Sequence, residues 1–430
     1  MTSAEPPAKL LLIGPGLPGA GVGGLQIALR ELAAELRARG WDVETALFAG
    51  AAGPGLRSGV GHSQLAALVR SPALLSLRDW LPTRLRRVLS SLAVSRTLLA
   101  NLNHNLRVFD ALLDNAGAYS AILVCVEGLV PGMAALAVDR HPCVALVSLP
   151  SLGEELGLRW LWPLRRRLAA ALLGGALHPA FARPVEPARV QLAIFANQQW
   201  RDDALRAGLP PHATRVIYFG VPDAELLPRP PTVTGRLLWL GRLGPEKGLH
   251  LLIDALPAIR AAVGPVTLTA IAGQGHPVYR HLVEARIRKL GLEHVVELRP
   301  PVERHTLGRA YAEHDLLCFV SENDDPVALT LMEAFAAGLP VVASLARPGA
   351  RLVRAGETCR CFEPRRRATL VAAVASALRE PTQTATIAAR ARELVSSELT
   401  LAATGAAFDA ELRALIERAY SSRPISKFAL

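Results

Sequence analysis

Short apolar runs and longer stretches of helical periodicity alternate along this chain, which predicts an α/β fold. Apolar runs at residues 9–13, 41–48 and 121–126 have the length of buried strands. Between the first two runs, residues 25–36 place apolar side chains at helical spacing, and Gly40 follows as a helix-ending residue. A strand, a glycine-containing loop, a helix and a second strand form the usual beginning of a parallel α/β sheet.

The alternation continues through the first half, stops at a proline-rich segment and then starts again. Further strands of the first half are predicted at residues 143–149, 191–196 and 216–219. Residues 218–232 are rich in proline and begin no helix, so we expect an interdomain linker there. The second half is predicted to have strands at residues 236–240, 266–272, 295–298, 316–320 and 340–343, with helices between them, among them 303–312 and 328–337.

This pattern predicts two domains and a C-terminal segment. Residues 1–220 and residues 221–400 each form a Rossmann-like domain, and residues 401–430 form a helical segment that packs back on the N-terminal domain. Two such sheets joined by a hinge leave a cleft between the carboxyl ends of their strands. Open α/β sheets bind their ligands at that edge.

The composition excludes several classes of protein. The 430 residues suffice for two or three domains with sizeable cores. The sequence holds no uninterrupted apolar run of roughly 18 residues, the length that spans a bilayer, and residues 1–9 lack the order of a signal peptide. The five cysteines are scattered without metal-binding spacing. We therefore expect reduced thiols, no metal site and a cytoplasmic protein.

The formal net charge is +11, and nearly all of the basic residues are arginine. Between Arg57 and Arg189 there are 15 arginines and 8 acidic residues, so this third of the chain is basic. A basic face can bind nucleic acid, anionic lipid or a phosphorylated substrate. The sequence has no zinc-finger spacing, RNP-type aromatic signature or long basic run, which argues against nucleic acid.

Residues 237–248 combine a strand with a glycine-rich loop that carries two cations. Arg242 and Lys247 follow the predicted strand, and Gly241 and Gly244 lie beside them in the loop. Such cations can neutralise a diphosphate, and the glycines allow its oxygens to approach the backbone. The alternative is an ordinary surface turn with a solvated Arg and Lys.

Residues 325–342 combine two carboxylates with the start of a helix. The predicted helix begins near Ala328, so its free N–H groups can bind an anion. Glu333 lies more than one turn inside and can offer its carboxylate to a ribose diol, while Asp325 precedes the helix and can reach sugar hydroxyls. An acidic cluster that complements the helix dipole is the alternative for Asp325. It does not explain Glu333. The N–H groups assigned to the anion belong to Val327, Ala328 and Leu329.

Together these two stretches resemble the donor half of the retaining family-4 glycosyltransferases, which have the GT-B fold of two Rossmann-like domains facing a central cleft. Family members carry a Gly-Arg-x4-Lys-Gly loop for the diphosphate and two glutamates with seven residues between them. The first glutamate is replaced by Asp325, one methylene shorter, and a nearby glycine by Ala328. The matching residues are Gly241, Arg242, Lys247, Gly248 and Glu333.

The resemblance also assigns residues in the N-terminal half. Gly23 and Gly24, in the loop that opens the first helix, would lie close to the donor phosphates and the acceptor; a tight turn for helix packing is the alternative. Family members usually have a histidine where Ser148 ends a predicted strand. Glu127 is another polar residue at a strand end. We take Asp325, Glu127 and Ser148 as the candidate catalytic residues.

A membrane surface is a further candidate partner. Trp160, Trp162 and Arg165 to Arg167 lie close together in the sequence, a mixture that suits an anionic membrane interface. The alternative is a helix with tryptophans in the core and solvated arginines.

The resemblance implies a retaining glycosyltransferase that moves a sugar from a nucleotide-diphosphate sugar to a glycan or lipid-linked acceptor, as in polysaccharide biosynthesis. The N-terminal domain would serve the acceptor and the C-terminal domain the nucleotide sugar. No metal ion or cofactor is needed in principle, because Arg242, Lys247 and helix N–H groups can neutralise the leaving diphosphate. Two alternatives stay open: a catalytically impaired nucleotide-sugar-binding partner protein and a GT-B sugar-nucleotide epimerase. The expected location is the cytoplasm, with peripheral attachment to the inner face of the membrane.

Overall fold

The computed structural model describes most of the chain and divides it into two compact units. One unit comprises Met1–Tyr218 with Thr404–Leu430, and the other comprises Phe219–Ala403. Within the described residues, no helix has the length and apolar character needed to cross a membrane. The described ranges are 7–15, 24–48, 96–125, 132–148, 162–173, 177–181, 183–222, 233–273, 277–303, 306–322, 328–345 and 352–421.

The N-terminal unit contains a parallel six-stranded sheet with the order β2-β1-β3-β4-β5-β6. Its central strands are buried on both faces, which explains their continuous apolar sequence. The strands are β1 Lys9–Pro15, β2 Asp42–Phe48, β3 Ala121–Cys125, β4 Val144–Ser148, β5 Leu192–Phe195 and β6 Thr214–Val216. The helices are α1 Gly24–Ala38, α2 Arg96–Leu113, α3 Met133–Arg140, α4 Trp162–Leu173 and α5 Gln198–Arg206.

The C-terminal unit contains a second parallel six-stranded sheet with the order β12-β11-β10-β7-β8-β9. Its strands are β7 Arg236–Arg242, β8 Thr267–Gly273, β9 Val296–Arg299, β10 Leu316–Phe319, β11 Val341–Ser344 and β12 Arg360–Phe362. Its helices are α6 Leu249–Val263, α7 Pro277–Lys289, α8 Leu307–Glu313, α9 Leu329–Ala336, α10 Arg367–Arg379 and α11 Pro381–Glu398. Helix α6 buries Leu249, Leu252, Ile253, Leu256 and Ile259 at helical spacing against the sheet.

The last helix, α12 (Leu401–Ser421), makes side-chain contacts within the N-terminal unit. The indole of Trp41 donates a hydrogen bond to Asp409, at 2.7 Å, and the guanidinium of Arg413 lies 5.2 Å from the Trp41 ring centre. Arg215 donates to Glu411 at 2.8 Å. The aromatic and charged contacts therefore join residues 409–413 to elements that lie about 200 to 370 positions earlier in the sequence.

The predicted parallel α/β architecture with two Rossmann-like sheets is confirmed, and the differences lie at element ends. A strand predicted at residues 216–219 is observed as β6, Thr214–Val216, because the ladder ends there although Ile217 and Phe219 stay buried. The helix predicted at residues 303–312 is observed as α8 at Leu307–Glu313. Most of the predicted linker, residues 223–232, lies outside the described residues.

Candidate functional site

The two stretches singled out in the sequence follow neighbouring strands of the C-terminal sheet. Strand β7 ends at Arg242, and its parallel neighbour β10 ends at Phe319. The carboxyl ends of parallel neighbours meet at one edge of a sheet. The cation-bearing loop, residues 242–248 with Arg242 shared with the end of β7, and the segment that leads from β10 towards α9 therefore start at the same edge.

Hydrogen bonds join these two segments directly. The carbonyl oxygen of Glu246 accepts from the backbone N–H of Glu322 at 2.8 Å and from the hydroxyl of Ser321 at 3.2 Å. The indole of Trp239, on β7, donates to the carbonyl of Lys247 at 3.2 Å. The loop that carries both cations is thus held by its own strand and by the end of β10.

Gly248 is required at the end of this loop for two physical reasons. Its φ angle is 68°, in the left-handed region that glycine adopts without steric cost. A Cβ atom at this position would also lie 2.0 Å from the carbonyl oxygen of Val320, at the end of β10. Any other residue would therefore separate the loop from β10.

The two cations lie in the loop with different exposures. The side chain of Arg242 is 62 % exposed, and its guanidinium forms an ion pair with Glu246 at 3.2 Å. Lys247 is half-buried. An exposed pair contributes only about 0–1 kcal/mol, so a diphosphate can replace Glu246 as the partner of Arg242 at small cost. The approach of both cations to the start of α9 stays a prediction, because residues 323–327 lie outside the described part of the chain.

Helix α9 begins with an unusual backbone conformation. Its N-cap residue, Ala328, has φ 42° and ψ 38° and is 6 % exposed. A non-glycine residue in the left-handed region costs roughly 1–2 kcal/mol, and the resemblance places a glycine here. Such conformations concentrate at functional sites. Leu329 is the first helical residue, while Asp325 and Val327 lie outside the described residues.

Glu333 is held in place by a buried tyrosine that the sequence reading missed. The hydroxyl of Tyr311, on α8, donates to Oε2 of Glu333 at 2.9 Å. Tyr311 is 3 % exposed and Glu333 is half-buried. A carboxylate fixed through one oxygen has restricted rotamers, which suits a residue that must hold a ligand hydroxyl. No local sequence pattern indicates this pair, because Tyr311 on α8 and Glu333 on α9 meet only in the folded protein.

A second group of side chains lies near the ends of β10 and β12 and the start of α6. The hydroxyl of Tyr279 lies 2.8 Å from Nδ1 of His250 and accepts the backbone N–H of the same residue at 3.2 Å. Nδ1 is therefore assigned as an acceptor, which leaves the Nε2 proton facing Glu322 at 3.4 Å. Arg365 donates to the other oxygen of Glu322 at 3.0 Å. Glu322 thus connects the ends of β10 and β12 with the start of α6.

The charge state of this group follows from its burial. Desolvation lowers the pKa of His250 below its ordinary value, and the neighbouring carboxylate of Glu322 opposes the shift. Burial raises the pKa of Tyr279 to about 12. At neutral pH the histidine is therefore neutral and the tyrosine is protonated, in agreement with the hydrogen-bond assignment.

Arg365 has the second left-handed backbone among non-glycine residues in the described part of the chain, with φ 63°. Its side chain is 76 % exposed, and its partner Glu322 is 17 % exposed. The strained backbone directs a long cation towards Glu322 at the carboxyl edge of the sheet. His250, Tyr279, Glu322 and Arg365 were not identified from the sequence.

The candidates of the N-terminal unit are described only in part. Gly24 is the first residue of α1, and Ser148 is the last residue of β4, at the carboxyl edge of its sheet. The side chain of Ser148 is outside the description, as are the residues Gly23 and Glu127. The roles given to these four residues stay predictions.

The basic aromatic segment is also described in part. Helix α4 begins at Trp162, while Trp160 and the side chains of Trp162 and Arg165 lie outside the described part. Arg166 and Arg167 are exposed, and Arg166 donates to the carbonyl of Pro179 at 3.1 Å.

The family is indicated by the C-terminal unit. Residues 231–394 match the family model described as "Glycosyl transferases group 1". This range contains both stretches of the candidate site, β7 with its loop and α9 with Glu333. The predicted resemblance to a group 1 glycosyltransferase is confirmed at this level.

Curated relatives match over less than half of their length. A glycogen synthase of Mycobacterium tuberculosis is 35 % identical over 179 residues, which is 40 % of this chain and 40 % of the relative. A phosphatidyl-myo-inositol mannosyltransferase of Mycobacterium leprae is 27 % identical over 193 residues, 45 % of this chain and 49 % of the relative. These relatives differ in their named substrates, so they do not define one for this chain.

Solved structures resemble the chain over nearly its whole length. The HepE protein of Anabaena, crystallised with UDP and glucose, aligns with a TM-score of 0.64 and 20 % identity over 95 % of this chain and 100 % of that one. Sucrose-phosphate synthase from Thermosynechococcus elongatus aligns with a TM-score of 0.67 and 20 % identity, and the alignment covers 96 % of this chain and 100 % of the synthase. At this identity the similarity shows the fold, and it confirms the predicted two-domain GT-B class.

Removing either cation of the loop should weaken the binding of a nucleoside diphosphate. For Arg242→Ala and Lys247→Ala we expect a loss of roughly 1.5–3 kcal/mol, measured by calorimetry, because each removes a charge-assisted hydrogen bond to phosphate. Arg288→Ala removes an exposed cation of the same unit at the end of α7 and should leave the affinity unchanged. Unchanged affinity in both loop variants would refute the site.

Glu333 and Tyr311 should act together on the ribose. Glu333→Gln and Tyr311→Phe should each weaken a nucleoside diphosphate by about 1–2 kcal/mol, because the first removes the charge and the second frees the carboxylate. A 2′,3′-dideoxy nucleotide lacks the diol and should bind wild type and both variants almost equally. Tyr420→Phe, on an exposed tyrosine, is the control. If the variants lose equal affinity for the normal and the dideoxy nucleotide, Glu333 does not contact the ribose.

The half-buried His250 should make the free energy of unfolding depend on pH. Because the pKa of His250 is lowered in the folded protein, the unfolded chain binds this proton first as the pH falls. Neutral His250 contributes its full share to the free energy of unfolding above about pH 6.5, the ordinary pKa of a histidine in the unfolded chain. This contribution is lost as the pH falls through the lowered pKa of the folded protein. Urea unfolding between about pH 7 and pH 5 should show a steeper fall in wild type than in His250→Asn. Exposed His294→Asn should keep the wild-type slope; identical slopes in all three proteins would contradict the assignment.

Proposed function

We propose that this chain, whose C-terminal unit matches the family model of the group 1 glycosyltransferases, transfers a sugar with retained configuration from a nucleotide-diphosphate sugar to a glycan or lipid-linked acceptor. One observation carries the proposal. The loop with Arg242 and Lys247 is hydrogen-bonded, through Glu246, to the end of β10 at the carboxyl edge of the sheet. That edge is where open α/β sheets bind nucleotides.

The chemistry follows from the charges that this edge offers. As the bond between sugar and diphosphate breaks, negative charge grows on the diphosphate, and Arg242 with Lys247 would stabilise it. The N–H groups of Val327, Ala328 and Leu329 would add donors at the start of α9. Glu333, oriented by Tyr311, would hold the ribose, and Asp325 would bind hydroxyls of the donor sugar.

The N-terminal unit would supply the acceptor side. Gly23 and Gly24 would let the backbone approach the donor phosphates and the acceptor, since glycine has no Cβ. Ser148 is the last residue of β4, and Glu127 comes two positions after the end of β3 in the sequence; these two strands are parallel neighbours in the N-terminal sheet. In this proposal they replace the histidine that the resemblance leads us to expect.

Uridine nucleotides are the first donors to test, because the structurally similar HepE protein was crystallised with UDP-glucose. A thermal-shift screen would compare UDP-glucose with sugars carried on guanosine, adenosine and thymidine diphosphate. A ligand at about one hundred times its Kd should add about 2.7 kcal/mol to the apparent stability. No shift with any nucleotide sugar, at concentrations that saturate a known glycosyltransferase, would reject the proposal.

A non-catalytic nucleotide-sugar-binding protein is the second candidate. The left-handed conformation of Ala328, where the resemblance places a glycine, favours it, as do Asp325 and Ser148 in place of the expected glutamate and histidine. This candidate predicts donor binding without turnover across a broad acceptor panel. An epimerase would instead change the donor sugar without any acceptor, which product analysis reveals.

The basic face of α4 fits an anionic membrane surface on the cytoplasmic side. Arg166 and Arg167 are exposed, and Leu164 beside them is 46 % exposed. An exposed apolar side chain flanked by cations can enter the headgroup region while the cations meet anionic lipid. This attachment would bring the protein to a lipid-linked acceptor.

Loss of this charge should reduce binding to anionic vesicles. Each arginine near the surface contributes about 1 kcal/mol, and added salt weakens the attraction. In a liposome flotation assay, Arg166→Ser with Arg167→Ser should lower the bound fraction. The charge-matched control removes Arg288 and Lys289, exposed at the end of α7. Equal flotation of both double variants would leave α4 as an ordinary helix with a solvated face.

A further inference from the structure

Two cysteines at the start of β12 place their sulfur atoms next to each other. Cys359 and Cys361 have one residue between them, and the two Sγ atoms are 3.6 Å apart. Alternate residues of a strand point to the same face of a sheet. This explains why the two thiols meet while Arg360, between them, forms hydrogen bonds with Glu380 and Gln383.

The backbone is held in a different way at each of the two cysteines. Thr358 accepts the N–H of Arg354 at 3.0 Å and donates to the carbonyl of Leu352 at 2.6 Å, which closes a turn just before Cys359. Cys361 lies on β12, which pairs with β11 and is the edge strand of the described sheet. An edge strand has a ladder on one side, so it can shift slightly without breaking a second ladder.

The two thiols also differ in exposure and acidity. Cys359 is fully buried, whereas Cys361 is half-buried. Either sulfur can donate the hydrogen bond between them, and we assign Cys359 as the donor because it is the more buried thiol. This hydrogen bond lowers the pKa of Cys361 and raises that of Cys359, and burial raises the pKa of Cys359 further. The thiolate is the attacking form of a cysteine. Cys361 is therefore the attacking sulfur and Cys359 its protonated neighbour.

We propose that Cys359 and Cys361 form a reactive dithiol, a site of thiol–disulfide exchange with low-molecular-weight disulfides. The thiolate of Cys361 attacks the disulfide and one thiolate leaves, which gives a mixed disulfide on Cys361. As Cys359 then attacks the sulfur of Cys361, its proton passes to the second small thiolate, which leaves as a thiol. The protein loses two electrons and two protons, and the small disulfide is reduced to two thiols.

The geometry needs only a local movement. A disulfide requires an S–S distance of about 2.05 Å, so the sulfur atoms must approach by roughly 1.5 Å from their separation of 3.6 Å. Side-chain rotation at Cys361 together with a small shift of the edge strand can supply it. No residue assigned to the nucleotide takes part, so this site stands independently of the proposed function.

The experiment treats the full-length protein with oxidised glutathione, blocks remaining thiols with N-ethylmaleimide and locates each modification by peptide mass spectrometry. In wild type we expect a Cys359–Cys361 disulfide without a glutathione adduct, reversed by dithiothreitol. In Cys359→Ala the mixed disulfide on Cys361 should persist. In Cys361→Ala, Cys359 should stay unmodified. Cys318 is the internal control, because it is 1 % exposed and burial raises its pKa to about 12.

Three results would overturn the proposal. The wild-type protein could stay fully reduced, or it could keep a glutathione adduct on Cys361 instead of forming the disulfide. The Cys361→Ala variant could also react with oxidised glutathione as fast as wild type. Circular dichroism at the reaction temperature shows whether each variant is folded. If an alanine variant is unfolded, the serine variant at the same position replaces it.

Discussion

The parallel pairing of β7 with β10 is the constraint on which the candidate site depends. Sequence separates the two strands by about 80 residues, yet Leu316 and Leu317 of β10 lie opposite Leu237 and Leu238 of β7. The pairing brings the loop after β7 to the segment after β10, where Glu246 accepts hydrogen bonds from Ser321 and Glu322. Gly248 keeps this approach possible, since a Cβ would meet the carbonyl of Val320.

Around this contact the protein arranges charge in two layers. Arg242 and Lys247 lie in the loop itself, and the exposed Arg242 is paired with the partly exposed Glu246. Behind the loop, Glu322 is half-buried and is held by His250 and Arg365. A half-buried carboxylate between two donors is a stronger anchor than an exposed pair, because solvent screens it less. The outer layer can therefore exchange partners while the inner layer keeps the loop in position.

Local patterns predicted the parts of this arrangement that depend on local chemistry. Buried apolar runs predicted β7 and β10, and the glycines with two cations predicted the loop. Local patterns do not predict contacts between residues that are distant in the sequence. Tyr311 and Glu333 meet because α8 and α9 pack beside one sheet, and Glu322 meets His250 because β10 and α6 end and begin at one edge. The left-handed backbones of Ala328 and Arg365 depend likewise on tertiary packing that overrides the local preference of these residues.

The central claim is that a diphosphate binds at the carboxyl edge shared by β7 and β10. A crystal structure of the protein with a bound nucleoside diphosphate tests it most directly. The account predicts phosphate oxygens within hydrogen-bonding distance of Arg242 and Lys247, a phosphate at the N-terminus of α9, and the ribose hydroxyls against Glu333. A nucleotide bound elsewhere, or at this edge with its phosphates turned away from both cations, would contradict the account.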